Sequence, residues 1–307
     1  MNPIVAGLAK RTMLGTGHYR RALRRRTFPG VAVLCYHGIR RDDHGPSTLP
    51  FEAFHVRVSE FEAHCRFVRE TCAPISLEQW RRSLAGGPRL PERPVLVTFD
   101  DGYRSVFTLA QPILERHGIP AVAFICSEPV AGRCLPWWDH VARSRGEPEA
   151  ERIQWSPANE WELEQAASPA VDESDINAPL SPGEIKALAD RSFEVGCHTS
   201  AHPVLARLPR ERQREQIERS RNAIHTWTGK PVTAFAYPYG RPGSDYTAET
   251  VELVADLGFD FGFTTRSRFA LPTEATLERS RFVMMAGVSP AELAHRLTYS
   301  WHVDDHG

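Results

Sequence analysis

Apolar residues are grouped in short runs along the chain, and most runs are followed by a segment with the signals of a helix. Six runs, residues 31–37, 94–100, 121–127, 192–198, 232–238 and 259–265, have the length and composition of buried strands. Such strands, alternating with helices, predict an α/β fold with a parallel sheet covered on its outer face. Their number favours a (β/α) barrel over an open sheet.

Polar residues stand at the ends of several predicted strands. His37 ends the first, Asp100 and Asp101 end the second, His198 ends the fourth, and Tyr239 follows the fifth. In (β/α) barrels the residues that carry out chemistry lie at the carboxyl ends of the strands. We therefore expect these side chains to share one mouth of the barrel.

Two stretches depart from the alternation and suggest how the chain is organised. Residues 128–181 are rich in Pro, Gly, Asp and Glu and show no strand pattern, which predicts an irregular insertion on the mouth side of a barrel domain spanning 29–307. Residues 1–28 carry seven basic side chains and no acidic one. Their apolar residues, mixed with arginine, fit either a helix lying on anionic lipid or a solvated basic tail, and both alternatives stay open.

Composition narrows the class of protein. The chain has 307 residues, 41% hydrophobic and 24% charged, and a net charge of -1, so no overall basic field supports a nucleic-acid partner. Its 6 cysteines form no C-x-x-C pair and predict reduced thiols. The sequence has neither an apolar run of transmembrane length nor the order of a secretory signal. We expect a cytoplasmic protein, with residues 1–28 as a candidate peripheral contact at the inner face of the membrane.

The adjacent carboxylates of Asp100 and Asp101 need a compensating charge, because like charges at the end of a buried strand repel each other. A divalent metal ion would supply it. His198 and His202 are four residues apart just past another strand, a spacing that puts both rings on one face of a helical turn. Two histidines and one carboxylate form a ligand set that leaves positions open for water and substrate. The second carboxylate is then free to act as a general base.

A strand-to-loop turn in which one aspartate caps the next helix is the alternative for the Asp-Asp-Gly sequence alone. The histidines make the metal interpretation more specific. In order along the chain, TFDDG (98–102), HTSAH (198–202) and FAYPYG (235–240) resemble the polysaccharide deacetylase family, carbohydrate esterase family 4, which is related to the chitooligosaccharide deacetylases of nodulation.

The resemblance spans about residues 31–265 and implies a distorted (β/α) barrel of about seven parallel strands. It also implies that acetyl groups are removed from sugars with the help of Zn²⁺, or of Co²⁺ or Ni²⁺. Within this family pattern Asp100 is the catalytic base, and Asp101, His198 and His202 hold the metal.

The segment CYHGI (35–39) resembles family members that deacetylate poly-N-acetylglucosamine, in which the histidine is the general acid. An acid is required because the departing amine must be protonated. The late L-H motif that supplies this acid in most members does not occur after Thr265, and the terminal WHVDDH (301–306) lacks a preceding apolar strand. His37 is therefore the expected acid, with a histidine of the core as the alternative.

The third motif departs from the family pattern. Ala236 stands where members often have an arginine that orients the base, and Arg104, Lys230 and Arg241 are basic residues near the motifs in sequence. By the same pattern the N–H of Tyr239, which follows Pro238, helps to hold the tetrahedral oxyanion. Tyr239 as strand-end packing is the alternative.

Trp137 and Trp138 resemble the aromatic platforms on which sugar rings stack, and packing beneath a lid is the alternative. The expected function is metal-dependent removal of an N-acetyl group from a sugar in a polysaccharide or a lipid-linked glycan, by cleavage of a carbon–nitrogen bond that is not a peptide bond. Two alternatives remain, a deformylase or deacylase of an amino sugar on a lipid carrier, and a non-catalytic carbohydrate-binding descendant. Only the missing arginine favours the latter.

Overall fold

The computed structural model describes residues 3–44, 51–156, 160–191 and 193–300. The terminal segment 301–306 and the first residue of the predicted strand 192–198 lie outside this range. The strands are β1 (Ala32–Tyr36), β2 (Gly38–Arg40), β3 (His55–Arg57), β4 (Ala73–Pro74), β5 (Pro94–Phe99), β6 (Ala121–Ile125), β7 (Phe193–Cys197), β8 (Ala234–Ala236), β9 (Phe261–Phe263) and β10 (Phe282–Val283).

Helices surround these strands. They are α1 (Pro3–Gly15), α2 (His18–Arg24), α3 (Val58–Thr71), α4 (Leu77–Leu84), α5 (Gln111–His117), α6 (Ser127–Gly132), α7 (Trp137–Arg145), α8 (Glu147–Gln154), α9 (Glu160–Ala167), α10 (Pro182–Ala189), α11 (Arg210–Thr228), α12 (Ala248–Asp256) and α13 (Pro290–Tyr299). No helix in the described ranges is long and apolar enough to cross a bilayer.

Seven parallel strands form the main sheet in the order β10-β1-β5-β6-β7-β8-β9, and the short β4 pairs with β5. The sheet curls into a half-barrel with helices around it, which confirms the predicted distorted (β/α) barrel. β10 was not predicted, because a strand of two residues after an arginine-rich segment leaves no apolar run in the sequence. That segment nearly closes the barrel, since Arg279 bridges to Phe263 of β9 and Phe282 pairs with Leu34 of β1.

Side chains of the strands alternate between two buried clusters. The larger cluster lies between the sheet and the helices. The smaller one contains Val33, Leu96, Phe124 and Phe263, together with Trp80 of α4. Successive residues of a strand point to opposite faces of the sheet, so the smaller cluster faces the opposite side, the interior of the barrel.

The insertion 128–181 is more regular than predicted. It contains most of α6 and all of α7, α8 and α9, which bury Trp137, Trp161 and neighbouring apolar residues in a small cluster of their own. These helices are 6 to 9 residues long, too short to produce a clear helical period in the sequence.

The basic N-terminal segment forms two helices that pack on the barrel. Tyr19 and Leu23 of α2 are fully buried, and Lys10 of α1 forms an ion pair with Glu292 of α13 at 2.5 Å. Tyr19 also hydrogen-bonds His295 at 3.2 Å. Residues 3–28 are therefore attached to the barrel, while most of their arginines are exposed.

Candidate active site

The loops that follow β5, β7 and β8 meet at one end of the barrel. Four non-glycine residues of these loops have a left-handed backbone, namely Asp101 (φ 73°), Thr199 (φ 67°), His202 (φ 57°) and Tyr239 (φ 59°). Such conformations cost free energy and persist where the surrounding structure fixes them, often at functional sites. The predicted helical turn between His198 and His202 is wrong, because this segment is an irregular loop.

Asp100 is buried and accepts hydrogen bonds from two side chains of the protein. Arg281 donates two hydrogen bonds to it, from Nη1 to Oδ1 at 2.8 Å and from Nη2 to Oδ2 at 2.7 Å. The thiol of Cys35 donates a third, to Oδ2 at 3.4 Å. Burial opposes ionisation, but the charge of Arg281 outweighs it and holds the pKa of Asp100 well below its usual range. Asp100 is therefore a carboxylate at neutral pH.

The third motif has Ala236 where an arginine was expected to orient the base. Arg281, from a different part of the chain, supplies this positive charge beside Asp100. The three basic residues considered from the sequence bind elsewhere: Arg104 bonds Glu184 at 2.7 Å, Arg241 bonds Asp245 at 2.9 Å, and Lys230 contacts Asp190 at 3.5 Å. Arg281 lies in the segment that closes the barrel and is fully buried.

Asp101 faces two imidazole rings. Its Oδ1 is 3.5 Å from Nε2 of His198 and 3.7 Å from Nε2 of His202. Nδ1 of His198 lies 2.7 Å from the carbonyl oxygen of Ala236, and this hydrogen bond turns Nε2 towards Asp101. Burial lowers the pKa of His202 to about 3, and His198 adds to the effect, so His202 is neutral and can offer a lone pair.

Asp101 lies at a ligand-like distance from each histidine, and the thiol of Cys126 is close to Asp101 and His198 as well. Ligand atoms about 2 Å from a common ion are separated by distances close to the 3.5 and 3.7 Å seen here. Oδ1 of Asp101, the oxygen that faces both rings, is buried and has no hydrogen-bond partner among the described residues. Two imidazoles and one carboxylate suit zinc and similar metals.

His37 lies on the Asp100 side of the mouth. A ring nitrogen of His37, the thiol of Cys35 and a carboxylate oxygen of Asp100 all lie within 4.8 Å of one another. The ring packs against Phe54, with 4.8 Å between ring centroids. Burial lowers the pKa of His37, although the charges of Asp101 and Asp100 act in the opposite direction. Once protonated, this imidazole readily gives up its proton.

Tyr239 and Trp138 pack against His202, and Trp137 lies beside Trp138. The ring of Tyr239 is 4.5 Å and that of Trp138 is 4.9 Å from the His202 ring, measured between centroids. Gly240 N donates to the carbonyl of Pro238 at 2.6 Å, so the third motif makes a tight turn. Trp137 is 1% exposed and its indole donates to the carbonyl of Ala201 at 3.0 Å. Both tryptophans are therefore packed inside the protein and do not form an open sugar platform.

A comparison with protein-family models identifies the chain. The model described as polysaccharide deacetylase matches residues 87–262, which is more than half of the sequence. The chain belongs to the polysaccharide deacetylase family. It is accordingly an amide-hydrolysing deacetylase, and the family is metal-dependent.

Two curated relatives of this deacetylase differ in how much of the chain they match. The Bacillus subtilis (strain 168) protein YxkH, whose name describes a polysaccharide deacetylase, is 21% identical over 254 residues, covering 80% of this chain and 74% of that protein. The poly-beta-1,6-N-acetyl-D-glucosamine N-deacetylase of Escherichia coli (strain K12) is 43% identical over 68 residues, covering 22% of this chain and 10% of that protein.

Solved structures share the fold of this deacetylase. The deacetylase PplD of Streptococcus pyogenes, in complex with acetate, superposes with a TM-score of 0.65 at 19% identity, covering 87% of this chain and 98% of that chain. IcaB of Ammonifex degensii superposes with a TM-score of 0.63 at 25% identity, covering 89% and 98%.

Arg281 is the residue of the deacetylase site that sequence reasoning missed. The one available signal was the alternation in Arg279-Ser280-Arg281-Phe282, which places both arginines on the same face of a short extended segment. Both are buried, yet only Arg281 reaches a carboxylate of the site. Arg279 instead donates to the carbonyl of Leu271 at 2.7 Å.

Proposed function

We propose that this deacetylase removes N-acetyl groups from an N-acetylglucosamine-containing glycan by metal-dependent hydrolysis, with Zn²⁺ as the expected ion and Co²⁺ or Ni²⁺ as substitutes. The observation that carries the proposal is the Asp101 carboxylate held between His198 and His202, directly beside the ionised Asp100. Similarity to the poly-N-acetylglucosamine deacetylase of Escherichia coli supports this class of substrate.

The bound ion would polarise the acetyl carbonyl group and lower the pKa of the attacking water. Asp100 accepts a proton from this water, since its carboxylate stays ionised beside Arg281. Arg281 also fixes the orientation of the Asp100 carboxylate, because a bidentate arginine contact allows little rotation.

His37 donates a proton to the amine nitrogen as the carbon–nitrogen bond breaks. Its position near Asp100 puts the acid close to the base, and its lowered pKa makes the imidazolium a good proton donor. The N–H of Tyr239 is the proposed donor to the oxyanion, and none of the described residues accepts a hydrogen bond from it. The proton that Asp100 takes from water balances the one that His37 gives to the amine, so water adds across the amide overall, and acetate and a free amino sugar leave.

Acetate release tests the proposal. The purified protein, loaded with Zn²⁺ or Co²⁺, should release acetate from N-acetylglucosamine oligomers, and Asp100→Asn should stop the release while metal remains bound. Oligomers that bind without any acetate being formed would instead identify a carbohydrate-binding descendant. The same assay with N-formyl and N-acetyl amino sugars, free and attached to a lipid carrier, separates deacetylation from deformylation.

We also propose that α1 and α2 make a peripheral contact with anionic lipid at the inner face of the membrane. Val5 and Leu8 of α1 are 55% and 66% exposed. Arg21 and Arg24 of α2 and Arg25, which directly follows it, are exposed and form no ion pair with any described residue. Exposed apolar side chains and unpaired cations are both features that favour binding to an anionic lipid surface.

Vesicle binding tests this contact. The protein should sediment with phosphatidylglycerol vesicles and not with phosphatidylcholine vesicles, and the triple variant Arg21→Glu, Arg24→Glu, Arg25→Glu should stay in the supernatant. Point variants are preferable to a deletion because Tyr19 and Leu23 are buried in the barrel. Equal binding of the wild-type protein and the variant would contradict the proposal.

A further inference from the structure

The insertion touches the loop that carries the two histidines. The indole of Trp137 donates to the carbonyl of Ala201 at 3.0 Å, and the ring of Trp138 packs on His202. At the start of α6, Glu128 N donates to the carbonyl of Ser200 at 2.9 Å. The histidine loop is thus held along its length by residues of the insertion.

The far end of the insertion touches the loop that carries Asp101. Leu180 N donates to the carbonyl of Gly102 at 2.8 Å, and Arg104 N donates to the carbonyl of Ala178 at 2.7 Å. Tyr103 and Pro179 form an antiparallel bridge between these two bonds. The residues immediately after Asp101 therefore pair with the insertion as a short piece of sheet.

A chain of buried hydrogen bonds joins the two contacts. The indole of Trp138 donates to the hydroxyl of Tyr103 at 3.1 Å, and this hydroxyl donates to Oδ2 of Asp139 at 2.8 Å. Trp138 is 8%, Tyr103 3% and Asp139 0% exposed. Tyr103 belongs to the aspartate loop, whereas Trp138 and Asp139 begin α7.

Both ligand loops need this support because their backbones are strained. Asp101 and His202 have φ angles of 73° and 57°, which side-chain-bearing residues adopt rarely. Strained conformations of this kind persist only when neighbouring structure over-determines them. The contacts made by the insertion fall within three residues of each strained ligand.

We propose that the insertion is a clamp, formed by Trp137–Asp139 and residues 178–180, that sets the separation of Asp101 and His202 for metal binding. Tyr103, Trp138 and Asp139 are then positioning residues that act through the metal ligands. The inference rests on the proposed metal site and assigns a role to the insertion within it.

The affinity of the protein for metal tests the proposed clamp directly. Tyr103→Phe removes the hydroxyl that links the aspartate loop to α7, with little change of side-chain volume. We expect the affinity for Zn²⁺ to fall about 10- to 100-fold. Competition with a chromophoric chelator measures this affinity. The visible absorption of the Co²⁺-loaded protein should also change, because the ligand geometry changes. Trp161→Phe is the matched control, since Trp161 is buried in the same insertion cluster and contacts neither ligand loop in the interactions described above.

The outcomes separate this inference from the proposed function. Wild-type affinity and an unchanged Co²⁺ spectrum in both Tyr103→Phe and Asp139→Asn would overturn the clamp and leave the metal site intact. Equal loss in Trp161→Phe would also overturn it, because the effect would then be general destabilisation. Absence of metal binding by the wild-type protein would refute the metal site itself. Thermal unfolding of each metal-free variant verifies that the loss of affinity is not a loss of folding.

Discussion

Asp100 and Asp101 are neighbours in sequence but have opposite surroundings. Both oxygens of Asp100 accept hydrogen bonds from buried groups of the protein, Arg281 and Cys35. Oδ1 of Asp101 is also buried but has no hydrogen-bond donor among the described residues, and two imidazole nitrogens face it. One carboxylate is neutralised by the chain itself, whereas the other is left for a cation.

The difference comes from the backbone. Asp100 extends the line of β5, and its N–H bonds the carbonyl of Tyr36 of β1 at 2.9 Å. Its side chain therefore lies in the barrel interior, within reach of Arg281. Asp101 has a left-handed backbone, so the chain turns and its side chain faces the loop after β7. A single change of backbone conformation thus gives two adjacent identical residues the different surroundings that suit their proposed roles of base and ligand.

The largest predicted effect is on the Asp100 side. Asp100→Asn should lower kcat about 10²- to 10⁴-fold, which is the usual contribution of a general base. The amide oxygen accepts only one of the two hydrogen bonds from Arg281, so stability should also fall. Zn²⁺ content measured on the folded variant after dialysis should match that of the wild-type protein. A variant that keeps its turnover would move the base to another residue.

On the Asp101 side the predicted effect is on metal binding. Asp101→Asn should weaken Zn²⁺ binding by more than about 100-fold, because a direct ligand matters more than the residues that support ligands. Wild-type protein should gain about 2.7 kcal/mol of stability when free metal is at 100 times its Kd. Differential scanning fluorimetry with and without Zn²⁺ measures this gain. A full gain in Asp101→Asn would show that Asp101 is not a ligand.

Arg281→Lys should have the next largest effect, a fall in kcat/KM of about 10- to 100-fold, because lysine replaces a bidentate contact by a single point charge. Arg281 lowers the pKa of Asp100, so weakening the contact raises this pKa. Asp100 is then protonated at a higher pH, and the acidic limb of the kcat/KM profile should move to higher pH.

Arg279→Lys is the matched control for Arg281→Lys. Arg279 is also buried in the closing segment, but it bonds the carbonyl of Leu271 instead of a carboxylate. Its replacement should affect stability without moving the acidic limb. The Asp100–Arg281 pair also stabilises the fold above the ordinary carboxyl pKa of about 4, and this stability should decline as pH falls below that value. A shift of the limb in both variants would contradict the assignment of Arg281.

The fold could be predicted from the sequence more fully than the surroundings of Asp100. The apolar runs predicted the parallel barrel, because burial on both faces of a strand leaves a local signal. The partner of Asp100 leaves no such signal, since Arg281 is 181 residues away and meets it only when the closing segment pairs with β1 and β9. The helices of the insertion were missed for a related reason, as their short apolar faces pack on each other and on the ligand loops.

The smallest predicted effects concern two buried thiols, one beside Asp100 and one beside Asp101. Cys35 donates to Asp100, while Cys126 donates to the carbonyl of His198 at 3.4 Å and lies within 4.8 Å of ligand atoms of Asp101 and His198. Cys35→Ala removes one weak hydrogen bond, about 0.5–1.5 kcal/mol, so kcat/KM should fall by no more than about tenfold.

The direction of each thiol effect is more informative than its size. Cys35→Ala should move the acidic limb of the pH profile slightly to higher pH and leave the affinity for Zn²⁺ unchanged, because it removes a donor to the base. Cys126→Ala should alter the affinity for Zn²⁺ and leave the limb in place, because it loosens the His198 loop. If both variants changed the affinity for Zn²⁺, or both moved the acidic limb, Asp100 and the metal ligands would be coupled and would not be held independently.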